Sequence, residues 1–308
     1  MKIESDGHFA LEFYGVTKDP ETKEFVMIVE FADKGNLRSI LSTNFSSILW
    51  KDKIRYLYHL TIDLEKLHSL EYCHKDLHSG NILQKNISSY LSDFGLSKPA
   101  NVQKSDKIYG VLPYIAPEVL NGELYTKASD IYSFGILMTE VLSGKPPFYD
   151  RKHDWNLSLA ICNGLRPEFG KGGTPECYKK LAYRCMNANP NQRPTASELY
   201  YIFDFWWDSV NNSDTEDAKK YGYCGREIKE AFEEANKEIP NISISYKKDP
   251  EAIYVSRAFT FSNLTKPINS SLISSYFGKD ENNEDIIQCI RFHFSIIKDS
   301  YKIFFLLF

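Results

Sequence analysis

One segment, ASDIYSFGILMTEVLSG at residues 128–144, constrains the fold more than any other part of the sequence. Its spacing predicts a helix whose apolar side chains fall on almost every side, which is typical of a helix buried inside a domain. The helix is expected to end at Gly144, because Pro146 and Pro147 follow just beyond it. The chain must therefore supply enough other elements to surround this helix.

Strands and helices that could surround this helix are predicted both before and after it in the sequence. Two strands are expected at 9–19 and 24–32, and the second is an unbroken apolar run of the kind that is covered on both faces. A long amphipathic helix begins at about Lys51, and two shorter ones are expected at 175–186 and 195–207. One face of the long helix carries Ile54, Leu57, Tyr58, Thr61, Leu64, Leu67 and His68. We therefore expect an α+β fold that is largely helical.

Composition narrows the class of protein. The 308 residues are 43% hydrophobic and 25% charged, which is typical of a globular chain of about two domains. A net charge of -4 gives no electrostatic reason to expect a nucleic-acid partner. The N-terminus has no signal-peptide pattern, and no apolar run reaches the ~18 residues of a membrane span, so we expect no membrane partner. The cysteines form no CxxC pair, which favours a reducing compartment and a cytoplasmic location.

The composition changes after about residue 207. We expect one domain over 1–207, then a polar linker at 208–220, an isolated charged helix at 226–238 and a weakly ordered tail. The final segment, 286–308, is more apolar than the tail before it. It is either a docking helix or translated non-coding sequence, and we favour the second.

The segment CHKDLHSGNIL at 73–83 holds an Asp and an Asn five positions apart, in a loop that leads into a predicted strand. Further motifs follow in a fixed order: DFG at 93–95, APE at 116–118, SDIYSFG at 129–135 and NQRP at 191–194. Any one of them alone is a weak signal. Together they resemble the motif series of eukaryotic protein kinases, over about residues 9–207.

The resemblance implies a chemistry for the loop. Phosphoryl transfer needs positioned groups and cations that neutralise phosphate charge. Asp76 would accept or orient the proton of the substrate hydroxyl, while Asn81 and Asp93 would hold Mg²⁺ through oxygen atoms. The implied substrates are ATP and a Ser, Thr or Tyr hydroxyl of a protein. His78 either contacts the γ-phosphate or merely fills the loop, and the two interpretations stay open.

The resemblance also implies a nucleotide pocket and a set of structural residues. The second strand would be the hinge near 30–32, with a helical C-lobe over 36–207 and only a remnant of the N-lobe sheet. Nucleotide-binding residues on this interpretation are Val29 as gatekeeper, Glu30 and Ala32 at the adenine edge, Asn36 near the ribose, and Leu83 beneath the adenine. Structural residues would be His74, Phe94, Asp130 as an anchor of the catalytic loop, and Glu118 with Arg193 as a buried ion pair.

The sequence departs from the family pattern at several positions. Lys75 stands where the family usually has Arg, and it can act only as a point charge. His78 and Val111 replace residues typical of most serine/threonine kinases, and the pattern is most similar to the tyrosine-kinase-like group. No GxGxxG motif is present, and only eight residues precede Phe9. We therefore expect most of the N-lobe, with its Gly-rich loop and strand Lys, to be missing.

Three functions compete. The chain belongs to an active protein kinase whose N-terminal part is missing from this sequence, or it is a catalytically dead scaffold that binds another kinase or forms an oligomer. The third candidate is a small-molecule phosphotransferase, a class with a similar H-x-D-L-H-x-G-N loop. The APE segment, the buried helix and the late Arg argue against this third function.

Overall fold

A computed structural model of the chain describes residues 11–99, 107–170, 173–212, 214, 217–261 and 264–277. Its strands are β1 (Phe13–Lys18), β2 (Phe25–Val29), β3 (Tyr72–Cys73), β4 (Ile82–Lys85), β5 (Ser88–Leu91), β6 (Lys98–Pro99), β7 (Ile108–Gly110), β8 (Lys219–Lys220), β9 (Tyr223–Cys224) and β10 (Arg257–Phe259). Its helices are α1 (Leu37–Asn44), α2 (Trp50–Ser69), α3 (Pro117–Leu120), α4 (Lys127–Ser143), α5 (Trp155–Cys162), α6 (Glu176–Cys185), α7 (Ala196–Asn211), α8 (Gly225–Glu238) and α9 (Ser271–Phe277). The strands form antiparallel pairs, β1–β2, β3–β6, β4–β5, β7–β10 and β8–β9. The predicted α+β class, largely helical with little sheet, is confirmed.

Helix α4 lies at the centre of the helical part. Every residue from 129 to 142 is buried, as the all-round apolar pattern predicts. Gly144 caps the helix in the left-handed region at φ 68°, which a glycine adopts without strain. A Cβ atom at this position would also lie only 2.5 Å from the ring of Phe45. Both features require glycine where the helix ends.

Helix α2 buries the face that its spacing predicts. Ile54, Leu57 and Leu64 are fully buried on it, and α7 packs along its side. The Tyr58 hydroxyl donates to Asp204 Oδ1 across that interface at 2.9 Å. Helix α7 runs to Asn211, a few residues beyond the predicted domain boundary at 207. No helix in the described part of the chain is both long and apolar enough to cross a bilayer.

The expectation that the second strand is covered on both faces is wrong. All five residues of β2 are exposed, and its partner β1 is almost as open. Phe25 and Met27 are 78% and 67% exposed. The apolar, β-rich composition produces the strand, but in the described residues its one strand partner is β1, so neither face is buried. Val29, the predicted gatekeeper, is accordingly 44% exposed.

The expectation of an isolated charged helix at 226–238 is also wrong. Helix α8 packs against α7 and α2, and its Ile228, Phe232 and Ala235 are buried. The ring of Phe232 lies 5.2 Å from that of Trp50. The spacing i, i+4, i+7 forms a narrow apolar stripe on an otherwise charged helix, and this stripe is enough to dock it.

The chain beyond α8 does not match a weakly ordered tail in its described residues. The segment 242–261 packs against the helical part of the chain, where β10 pairs with β7 and Ala252 is fully buried. Helix α9 follows at 271–277 and buries Ile273. Single apolar anchors at irregular intervals hold this segment, and such anchors produce no periodicity in the sequence. The expectation for 286–308 lies outside the described residues.

Candidate active site

The catalytic loop between β3 and β4 is anchored by one buried carboxylate. Asp130, in the first turn of α4, accepts the backbone N–H groups of His74 and Lys75 at 2.8 and 2.9 Å. His68 of α2 adds a third contact, at 2.9 Å through Nε2. Burial by itself would raise the pKa of Asp130, but His68, His74 and the Lys75 N–H hold it below its ordinary value. The carboxylate is therefore charged and ties the loop to the central helices.

Asp76 lies at the middle of this loop with its side chain buried. Among the described residues, its Oδ1 has no hydrogen-bond partner, and His78 Nε2 is 3.7 Å from it, which permits electrostatic attraction. The side chain of Ser256 lies beside the same carboxyl group and helps to lower its pKa. Burial would raise the pKa of Asp76, and the contacts with His78, Ser256 and His74 outweigh it and lower the pKa. Asp76 is thus a buried carboxylate, and its Oδ1 is available to accept a hydrogen bond.

Asn81 is fixed relative to Asp76. Its Nδ2 donates to the Asp76 carbonyl oxygen at 3.0 Å, which leaves Oδ1 as the amide atom able to bind a cation. The carbonyl oxygen of Asn81 accepts both the backbone N–H (2.9 Å) and the hydroxyl (2.8 Å) of Ser92. Ser92 directly precedes Asp93, so these bonds join the catalytic loop to the DFG motif.

Asp93 is exposed and has a left-handed backbone, at φ 61°. Its Oδ1 accepts the Gly95 N–H at 3.3 Å. Asn81 and Asp93 thus offer an amide oxygen and a carboxylate from neighbouring segments, the hard oxygen ligands that Mg²⁺ prefers. No group of three His, Cys, Asp or Glu side chains suited to a metal occurs in the described ranges. These two side chains would hold Mg²⁺ only together with further oxygen ligands, such as phosphate oxygens and water.

Several of the predicted nucleotide-binding residues lie where the segment after β2 meets β4. Asn36 forms an isolated antiparallel bridge with Leu83, and the Gln84 N–H donates to the Gly35 carbonyl at 2.8 Å. Ala32 is 9% exposed beside this contact. The carboxylate of Glu30 pairs with Lys85 of β4. The segment after β2 and Leu83 therefore lie side by side, at one edge of the candidate nucleotide site.

Asn36 has a local role as well. Its Oδ1 accepts the backbone N–H of Ser39 at 2.9 Å and the Ser39 hydroxyl at 3.0 Å, which caps α1. Asn36 is a good N-cap because its short side chain reaches the free N–H of the third helical residue, Ser39. The predicted contact with a ribose would have to use the Nδ2 side of the amide.

The remaining predicted structural residues occupy two places. Arg193 pairs with Glu118 through two parallel hydrogen bonds of 2.7 Å, and both side chains are buried. This is the bidentate geometry expected for the pair. Phe94 is 48% exposed, and its ring lies 5.3 Å from that of His74. The His74 Nε2 is 3.0 Å from the Ser92 carbonyl oxygen, next to Asp93.

A buried polar network beneath the catalytic loop escaped the sequence analysis. Ser79 donates to Glu140 Oε1 at 2.8 Å and accepts from Arg38 Nε at 3.0 Å. The Tyr114 hydroxyl donates to the other Glu140 oxygen. The network connects α1, the loop, the APE region and α4. One signal was available, because Glu140 is a charged residue in an otherwise apolar helix, and buried charges are rarely unpaired.

Comparison with known proteins decides the family. A family model described as protein tyrosine and serine/threonine kinase matches residues 4–203. The chain belongs to the protein kinase family. The catalytic loop and DFG motif therefore lie in a protein kinase domain, and the small-molecule phosphotransferase interpretation loses its support.

Curated relatives of this kinase domain bear serine/threonine kinase names. Two probable serine/threonine-protein kinases of Dictyostelium discoideum are 31% and 33% identical over 57% and 60% of the chain. A putative serine/threonine-protein kinase/receptor of Acanthamoeba polyphaga mimivirus is 32% identical over 56% of the chain. These matches cover 11%, 18% and 11% of the relatives' own lengths. The chain thus spans less than a fifth of each of these relatives.

Proposed function

We propose that this kinase domain transfers the γ-phosphoryl group of ATP to Ser or Thr hydroxyls of proteins. One observation supports this proposal more strongly than the others. The Asp76 carboxylate is held in place by the backbone contacts of its loop, yet its buried Oδ1 accepts no hydrogen bond within the described chain. An unsatisfied buried acceptor is costly unless it serves a ligand. A hydroxyl donor from a substrate satisfies it.

Asp76 takes the role of proton acceptor. The substrate hydroxyl donates to Asp76, which orients the oxygen toward the γ-phosphorus and receives the proton as the new P–O bond forms. The lowered pKa keeps Asp76 ionised at neutral pH and therefore ready to accept. His78 belongs to the same loop, and its Nε2 lies 3.7 Å from Asp76 Oδ1, close enough to stabilise the carboxylate.

Asn81 and Asp93 would hold Mg²⁺, which would neutralise phosphate charge when bound. Their oxygens come from segments that Ser92 ties together, so both ligands keep a fixed relation to Asp76. The adenine binds along the edge formed by Val29, Glu30, Ala32 and Leu83. On this assignment the hinge is at 30–32, the C-lobe begins at Asn36, and the kinase domain covers 1–207.

The assignment to a group within the kinase family rests on two positions of the sequence. His78 and Val111 stand where most serine/threonine kinases carry Lys and Thr. We therefore assign the domain to the tyrosine-kinase-like group, with Ser and Thr as acceptors. The described cysteines are free thiols, which favours the reducing cytoplasm as its compartment.

A second candidate function is that of a non-catalytic scaffold. The β1–β2 ribbon favours it, because its apolar residues are exposed on both faces, among them Phe13, Phe25 and Met27. Exposed apolar surface of this kind marks association sites. A second kinase chain or a second copy would cover it. Monomeric behaviour of the purified chain at high concentration would count against this function.

The experiment offers the purified chain Mg²⁺, ATP and a mixture of acceptor proteins, and identifies the phosphorylated amino acids. The proposal predicts phosphoserine and phosphothreonine. Phosphotyrosine alone would contradict the assigned specificity. Phosphate on a small alcohol but on no protein would contradict the proposed reaction itself.

A further inference from the structure

A segment beyond the kinase domain lies along the face that carries the catalytic loop. Its strand β10 pairs antiparallel with β7, with Arg257 opposite Gly110 and Phe259 opposite Ile108. Strand β7 belongs to the stretch between the DFG and APE motifs. The chain therefore adds its own strand to an edge beside the active site, the mode by which many proteins bind extended peptides.

The register of this pairing brings Ser256 to Asp76. Gly110, opposite Arg257, lies so close to the loop that a Cβ on it would stand 3.5 Å from Asp76 Oδ1. Ser256 is the residue directly before Arg257. Its half-buried side chain lies beside the Asp76 carboxyl group, whose pKa it helps to lower. A serine side chain of this segment thus lies next to the carboxylate that we assign as proton acceptor.

Contacts on both sides of Ser256 hold it there. His153 bonds the carbonyl oxygens of Glu251 (through its N–H, 3.1 Å) and Ile253 (through Nδ1, 2.9 Å), and its own carbonyl accepts from Arg257 Nη2 at 2.6 Å. These bonds bracket the segment before and after the serine. The segment is therefore held on both sides of Ser256, at Ile253 before it and at Arg257 after it.

Arg38 couples the same segment to the catalytic loop. It donates through Nη1 to the Tyr254 carbonyl at 3.0 Å, and its guanidinium lies 5.0 Å from the Tyr254 ring centre. The other edge of Arg38 bonds Ser79 of the loop. The Tyr254 hydroxyl donates to the Pro147 carbonyl at 2.9 Å. One guanidinium thus fixes the segment two residues before Ser256 and the loop that follows Asp76.

We propose that Ser256 is an intramolecular phosphoacceptor of this kinase domain, presented to Asp76 by the β7–β10 pair. The proposal rests on the proposed function. The Ser256 oxygen attacks the γ-phosphorus of ATP, and a new P–O bond forms as the bond to the β–γ bridging oxygen breaks. ADP leaves with that electron pair, and the hydroxyl proton passes to Asp76. The products are phosphoserine 256 and ADP.

The product should not stay docked. A phosphoserine carries about -1.5 to -2 charge at neutral pH and would face the Asp76 carboxylate. The two negative charges would repel each other. The phosphoserine also no longer has a hydroxyl proton to donate to Asp76. Strand β10 is then expected to leave β7, which opens the same edge to other extended acceptor peptides.

The experiment incubates the purified full chain with Mg²⁺ and ATP over a dilution series and quantifies phosphate at Ser256 by peptide mass spectrometry. The proposal predicts a first-order rate that does not change with protein concentration. Ser256→Ala removes the site, and Asp76→Asn prevents its modification. Thr260→Ala is the matched control, because Thr260 is an exposed hydroxyl in the same segment and its loss should leave Ser256 labelling unchanged.

Other outcomes separate the two proposals. If added acceptor proteins are phosphorylated while Ser256 is not, or if its rate rises with protein concentration, the intramolecular acceptor is overturned and the proposed function stands. If no acceptor is labelled, Ser256 included, both fall. Amide hydrogen exchange tests the docking without catalysis. Residues 257–259 should be protected before ATP is added and exposed after it, and exchange as fast as in an unstructured peptide at the start would overturn the proposal.

Discussion

The Asp130 carboxylate accepts the backbone N–H of His74 at 2.8 Å, two residues before Asp76. The bond joins the buried helix α4 to the loop that carries Asp76. Position of the Asp76 carboxylate therefore depends on the packing of α4. A loop tied in this way loses less conformational entropy when substrate binds, because its backbone is already ordered.

Replacing Asp130 with Ala is expected to destabilise the fold by about 3 kcal/mol or more. The change leaves the buried N–H of His74 without a partner and also removes the bonds to Lys75 and His68, and each unsatisfied group costs about 1–3 kcal/mol. Urea denaturation measures the effect. Asp150→Ala is the matched control, because Asp150 is 58% exposed and pairs weakly with Arg151. Equal losses in the two variants would contradict the anchoring role.

The buried ion pair gives a second stability test. Glu118→Ala should cost about 3–5 kcal/mol of unfolding free energy, because it leaves the Arg193 guanidinium buried without its bidentate partner. Glu71→Ala removes an exposed ion pair with Lys127 of the same 2.7 Å length and should cost less than about 1 kcal/mol. Chemical denaturation of the two variants measures the difference. A cost for Glu118→Ala as small as that for Glu71→Ala would show that the pair is not desolvated.

Lys53 predicts a pH dependence of stability. Its ammonium group is buried 3.2 Å from the Leu142 carbonyl oxygen and over the ring of Phe45, and burial lowers its pKa to about 7. In the unfolded chain the pKa is ~10.4, so between these values the unfolded state binds more protons and stability rises with pH. The slope from this one group is at most about 1.4 kcal/mol per pH unit.

Denaturation between pH 7 and 9 in about half-unit steps measures the Lys53 effect. The wild-type chain should become more stable across this range, and Lys53→Met should flatten the rise because its side chain does not titrate. Retention of the full slope in Lys53→Met would assign the effect to another group.

The docking of α8 predicts a contrast between two phenylalanines. Phe232→Ala should cost about 3–5 kcal/mol, because Phe232 is buried against the rings of Trp50 and Trp206. Phe25→Ala is the matched control, and its side chain is 78% exposed on β2. Thermal unfolding of both variants measures the difference. Similar midpoints for the two would mean that α8 is not part of the cooperative core.

Much of the fold could be predicted because its signals are local. The face of α2 and the burial of α4 follow from side-chain periodicity, which reports the environment of a helix directly. The candidate site is a prediction from the motif series, which places Asp76, Asn81 and Asp93 at set positions along the chain. The structure brings the first two into contact through the amide of Asn81.

The features that could not be predicted depend on contacts between segments far apart in sequence. An apolar strand is predicted to be covered, yet β2 is exposed because coverage depends on which other elements reach it. The approach of Ser256 to Asp76 comes from strand pairing between residues about 150 positions apart, and no local pattern encodes that register. The network around Glu140 is similar, since its members come from four separate elements.

Transfer of the γ-phosphoryl group by the full chain, with Asp76→Asn as its partner variant, tests the central assignment most directly. The substitution keeps the size of the side chain but removes the proton acceptor, a change typically worth about 10²–10⁴-fold in rate. We expect Mg²⁺-dependent labelling of Ser and Thr by the wild-type chain, and a loss of that order in the variant at unchanged folding stability. Equal rates in the two proteins, or no transfer by the wild-type chain, would contradict the assignment of Asp76 as the catalytic carboxylate of an active kinase.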